Sequence, residues 1–177
     1  MRITEQMDAG PILLQRAITV APDETQGSLK GKLAELGASA LIEALQMLRE
    51  GRLIETQQDE SLVTFTTPIA KENSLIDWMG DAAALERIVR AYDPWPVART
   101  MFGGDDLLLW RAQVVADGGL ASSAAAPGTL ILLKPDPVVK CATGYLALLE
   151  VQAPGRRRMS AADFFRGRRT IIGSRLG

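Results

Sequence analysis

The longest pattern in the chain is helical. Leu29, Leu33, Leu36, Leu41, Leu45 and Leu48 recur at spacings of three to five, which predicts a helix over residues 26–49 with its apolar stripe packed into a core. Asp23 or Thr25 is placed to cap its start, Gly37 to interrupt it, and Gly51 to stop it. Ahead of it, residues 11–20 read as an extended segment, with Ile18 and Val20 alternating with polar neighbours. Behind it the pattern turns polar, and residues 55–74 read as a linker in which Thr64-Phe65-Thr66-Thr67 is ended by Pro68.

A second amphipathic helix is expected over residues 81–91, capped by Asp81, with Leu85, Ile88 and Val89 on its apolar side. Asp93-Pro94-Trp95-Pro96 ends it, since proline cannot continue a helix. Trp78 is expected to be buried at the entry to this region, with Asp77 as a local cap, and Trp95 to be a packing anchor. The period then changes to two. Residues 97–102 and 107–115 read as strands joined through Gly103-Gly104-Asp105-Asp106, a hairpin signal. Residues 129–133, 138–142 and 145–151 read as three more, after a surface loop over 117–126. Five short strands imply a small closed barrel, in which Trp110 is core or barrel surface. Ser160 and Asp163 are spaced as a capping box for a last short helix, which Phe164 and Phe165 dock on the barrel.

Composition adds mainly exclusions. The 177 residues contain no histidine, which removes His-based triads, His general bases and His-ligated metals, and no metal site is expected. The lone Cys141 allows no internal disulfide, suits a reducing compartment, and reads as a small buried apolar residue. No apolar run is long enough to span a membrane. Net charge is -1, yet residues 130–177 hold nine basic and three acidic side chains, a local surplus that can attract phosphate.

Three segments in order carry a resemblance: Met7-Asp8-Ala9-Gly10-Pro11, Asp93-Pro94-Trp95-Pro96 and Arg158-Met159-Ser160-Ala161-Ala162-Asp163. Together they resemble the methionyl-tRNA formyltransferases. That resemblance implies an α/β remnant, the end of a Rossmann-like formyltransferase domain, over residues 1–54. A linker over 55–74 and a mostly β, OB-like barrel with flanking helices over 75–177 would follow. It implies a cytoplasmic, monomeric transferase that moves the formyl group of 10-formyltetrahydrofolate to methionyl-initiator tRNA, without metal or membrane partner.

Asp8 is similar to the family's catalytic Asp, which works beside an Asn and a His, and Asp8 with Gly10 would line the folate site. The Asn and His belong to an upstream segment with no counterpart here, so the chain alone is expected to be inactive, as a fragment or a reading frame begun late. The compact loop at Asp8 also resembles glycinamide ribonucleotide formyltransferases. Arg156, Arg157, Arg158, Arg166, Arg168 and Arg169 are the candidate RNA contacts, since arginine pairs bidentately with phosphate, and Lys71 is a weaker one. A tRNA-binding module without catalysis and a sugar-nucleotide formyltransferase relative are the alternatives.

Overall fold

The leucine-striped segment folds as one uninterrupted helix, α1 (Gln26–Arg49). The computed structural model describes residues 1–116, 124–132, 134–168 and 172–177. It divides into two units, Met1–Pro68 and Ile69–Gly177. In the first, Thr25 caps α1 by accepting the Ser28 N–H, and the Ser28 hydroxyl closes the box on the Thr25 N–H at 3.0 Å. Gly51, at φ +68°, ends the helix as expected. Gly37 does not interrupt it: one glycine costs about 1 kcal/mol of helix propensity, which 24 residues in register can absorb.

The leucine stripe departs from expectation. α1 has no buried residue; Leu41 is 61% exposed, and Leu33, Leu45 and Leu48 are exposed as well. Besides a three-residue 3-10 turn (Glu60–Leu62), the unit holds no second α-helix or sheet against which the stripe could pack. The strand expected over residues 11–20 shrinks, for the same reason, to one antiparallel bridge between Ile12 and Thr56. Glu24 is, with Gly10 and Pro11, one of the few buried residues in this thinly packed unit. It is buried just ahead of α1, pairs with Lys32 at 2.6 Å and accepts the Ser28 hydroxyl. Those two partners, Lys32 first, hold its carboxyl below the ordinary 4.5.

The second unit is built on α2 (Ala82–Ala91) and a six-stranded antiparallel sheet: β1 (Ala98–Phe102), β2 (Asp105–Val115), β3 (Leu130–Leu132), β4 (Val138–Lys140), β5 (Tyr145–Gln152) and β6 (Met159–Ser160), followed by α3 (Ala161–Arg166). Asp81 caps α2 through the Ala83 and Ala84 N–H groups. β1 and β2 form the expected hairpin: Phe102 pairs with Asp105 across Gly103-Gly104, both at positive φ, as a primed two-residue turn demands. The sheet order is β1-β2-β5-β4-β3, and β6 joins the end of β5. The described pairings leave β1 and β3 unpaired with each other, so the expected closure of the barrel is not made by strand pairing among the described residues. The expected third strand is β3; Leu133 and residues 117–123 of the expected surface loop lie outside the described residues.

Leu85 and Val89 of α2 and Phe164 and Phe165 of α3 pack against the sheet in one core. Phe102, Phe164 and Phe165 meet edge to face, with centroids 5.1–6.1 Å apart. Trp78 is buried, and its indole N–H donates to Thr100 Oγ1 at 2.9 Å, while Asp77 caps the following turn through the Met79 N–H. Cys141 is fully buried; burial, above all, pushes its thiol up to about 11, so it stays protonated and unreactive. Trp95 is no packing anchor within the described structure: it stands 54% exposed between its two prolines. Ser160 caps α3 at the Asp163 N–H, but the Asp163 carboxylate turns to Arg166, so the capping box closes on one side only.

Candidate nucleic-acid interface and the Asp8 loop

Asp8 occupies a left-handed turn at φ +55°, a conformation that aspartate tolerates better than most residues. Gln58 shapes that turn: its Nε2 donates to the carbonyls of Asp8 and Gly10, each at 2.7 Å. Gly10 is buried, and a Cβ there would lie 1.8 Å from the Arg2 carbonyl oxygen, so only glycine fits. The Asp8 carboxylate itself is exposed and makes no hydrogen bond or ion pair among the described residues. With no histidine in the chain, one free carboxylate beside a glycine is a shaped loop, and these two residues alone do not fit a folate. Among the described residues no cluster of His, Cys, Asp or Glu could hold a metal.

The basic residues are more organised. β5 turns into β6 through Ala153-Pro154-Gly155-Arg156, with the Arg156 N–H donating to the Ala153 carbonyl at 3.1 Å and Gly155 at φ +68°, the pattern of a type II turn. Arg156 and Arg157 project from this turn, exposed and without an ion-pair partner among the described residues. Arg158 differs: its guanidinium lies 3.1 Å from the centre of the Trp110 ring, and its Nη2 is 3.9 Å from Asp93. Beyond β6, Arg166 pairs with Asp163 at 2.6 Å and Arg168 lies over the Phe164 ring at 4.4 Å. Arg169 lies outside the described residues. Lys71 is exposed on a separate 3-10 turn, Lys71–Ser74.

The structure thus gathers Arg156, Arg157 and Arg158 on one hairpin and sets Arg166 and Arg168 just past it. It also brings in Trp110, Gln152 and Asp93, none of which the sequence marks as a functional residue. Elsewhere in this unit Trp78, Met101, Leu176 and Gly177 help to line an apolar cleft of about 370 Å³.

The family model described as "Formyl transferase, C-terminal domain" matches residues 68–169, and "Formyl transferase" matches residues 1–45. The chain belongs to the formyl transferase family. It is 45% identical over 177 residues to the "Methionyl-tRNA formyltransferase" of Methylococcus capsulatus, covering 100% of this chain and 56% of that protein. With the protein of the same name from Roseiflexus sp. (strain RS-1) the figures are 41%, 100% and 54%. The chain therefore spans about half the length of the curated relatives it matches. Among solved structures, a multiply substituted variant of HypX from Aquifex aeolicus aligns with a TM-score of 0.67 at 19% identity, over 97% of this chain and 30% of that one. HypX in complex with tetrahydrofolic acid aligns with 0.64 at 20% identity, over 92% and 28%. At such identities these structures speak for the fold alone. Within the formyl transferase family frame, Asp8 and Gly10 fall in the stretch matched as transferase domain. The arginine hairpin falls in the C-terminal domain. No helix among the described residues is long and apolar enough to cross a membrane.

Proposed function

We propose that this chain is the C-terminal part of a methionyl-tRNA formyltransferase, an enzyme moving the formyl group of 10-formyltetrahydrofolate to the amino group of methionyl-initiator tRNA. The observation that carries this reading is 45% identity along all 177 residues to a protein of that name. The chain's own share is tRNA contact. Arg156 and Arg157 are the leading phosphate partners, because they are exposed, adjacent and free of carboxylates among the described residues. Arg166, Arg168 and Arg169 follow them in the sequence as further candidates, and Lys71 is a weaker candidate on its own turn. Asp8 is the carboxylate that orients an imidazole and helps to manage the amine proton once an Asn and a His are supplied. Residues 1–54 are the end of the catalytic domain, 55–74 a linker and 75–177 an OB-like domain, in a cytoplasmic monomer.

A formylation assay tests the reading, with methionyl-tRNA and 10-formyltetrahydrofolate as substrates. The 177-residue chain is expected to be inactive alone, and a chain extended upstream to include the Asn and His is expected to be active. Substituting Asp8→Asn in the extended chain should then reduce kcat with little change in tRNA affinity. Activity on a sugar nucleotide in place of tRNA would overturn the substrate assignment. Robust activity of the 177 residues alone would overturn the role given to the absent His.

A further inference from the structure

The arginine run is not uniform, and its differences come from one indole. The β2–β5 register passes from Leu109↔Val151 to Arg111↔Glu150 and skips Trp110, a bulge that re-aims the side chain. Trp110 is nearly buried, so its N–H needs a partner, which it finds in Gln152 Oε1 at 2.9 Å. That bond fixes the Gln152 amide with Nε2 directed at the Arg156 carbonyl, 2.8 Å away. The face of the same indole carries the Arg158 guanidinium. The entering strand, through Gln152, is thereby tied to the last residue of the turn at the Arg156 carbonyl, and the Arg158 side chain just beyond it rests on the same ring.

We infer that Trp110, Gln152 and Arg158 form a clamp that holds the β5–β6 turn, so that Arg158 positions Arg156 and Arg157 for tRNA phosphates and does not bind phosphate itself; this rests on the tRNA reading above. Arg158 lies on an indole with the Asp93 carboxylate nearby, which already engages its cation. Arg156 and Arg157 have no such neighbours among the described residues, and a turn held in shape before binding spares the cost of ordering them on the RNA.

The test uses the full 177-residue chain and filter binding of tRNA over a salt series, with trypsin cleavage after Arg156 and Arg157 measured in the free protein. R156Q and R157Q should each lower the slope of log K against log salt by roughly 0.7–0.9, the loss of one phosphate contact. R158Q and Q152A should weaken binding roughly two- to tenfold at every salt concentration, with the slope unchanged. Both should also speed cleavage at Arg156 and Arg157. A slope lowered by R158Q as much as by R157Q overturns the inference. So does wild-type affinity in Q152A. A slope insensitive to R156Q and R157Q overturns the tRNA reading of this surface instead, and the trypsin rates then decide the clamp alone: unaltered rates in Q152A and R158Q sink it.

Discussion

Thr100 is fully buried in β1, and its hydroxyl is the acceptor for the Trp78 N–H. A buried indole N–H that loses its partner bears its desolvation cost in full. Thr100→Val keeps the shape and removes the acceptor, so it should destabilise the second unit by about 2 kcal/mol. Thr100→Ser keeps the acceptor and deletes one methyl, for a loss of about 1 kcal/mol. Urea unfolding followed by tryptophan fluorescence separates the two; a Thr100→Val midpoint equal to that of the wild type would mean that the hydrogen bond contributes nothing. The sequence marks Trp78 as buried but not Thr100 as its partner, because a hydroxyl 22 residues away enters the contact only through the Leu75–Arg99 bridge that brings the two segments together. Trp110 is opaque for a related reason. Its role depends on a register skip in β2, and hydrophobic alternation reports which face a residue takes, not where a ladder slips.

Among the elements, the legible features are those decided within a few residues. Asp81 capping α2, Gly51 ending α1, the Gly103-Gly104 hairpin and the Phe164–Phe165 docking of α3 all follow from local chemistry. The leucine stripe of α1, the strand over residues 11–20 and the packing of Trp95 depend on a partner surface, and there the local pattern misleads. The N-terminus of α1 shows how a local device holds a helix without a core. Glu24 ties Lys32, two turns on, and Ser28, one turn on, to the residue ahead of the cap. Because its carboxyl is held below the ordinary 4.5, the unfolded chain takes up the proton first as pH falls. The stabilisation is therefore complete above 4.5 and is lost as pH drops through the folded value. Circular dichroism at 222 nm should show α1 losing helix on mild acidification. Glu24→Gln, with no carboxyl to titrate, should start less helical and show a flatter acid profile. Identical profiles would remove Glu24 from the account.

At the scale of the whole molecule, the two units differ in what holds them. All three tryptophans, Trp78, Trp95 and Trp110, lie in Ile69–Gly177, so fluorescence follows that unit alone. Helical signal is distributed the other way: α1 supplies 24 of the 40 α-helical residues described. A helix of that length with no buried residue draws its stability from caps and i,i+4 contacts, which leave it marginal in water. The second unit has a continuous core under β2, β5, α2 and α3, and should unfold cooperatively. The two probes should therefore separate in a urea titration. Ellipticity at 222 nm should fall by about half over a broad, early change with little cooperativity, before the fluorescence transition begins. A dye that binds exposed apolar surface should respond to the native protein and lose that response with α1, not with the later transition. Supplying the rest of a formyl transferase domain in the same polypeptide should bring the two curves together, since the stripe Leu33–Leu41–Leu45–Leu48 would then gain a surface to bury. Coincident transitions in the 177-residue chain itself would mean that α1 is held by contacts other than its own caps, for example a second copy of the chain. A midpoint that rises with protein concentration would identify that case.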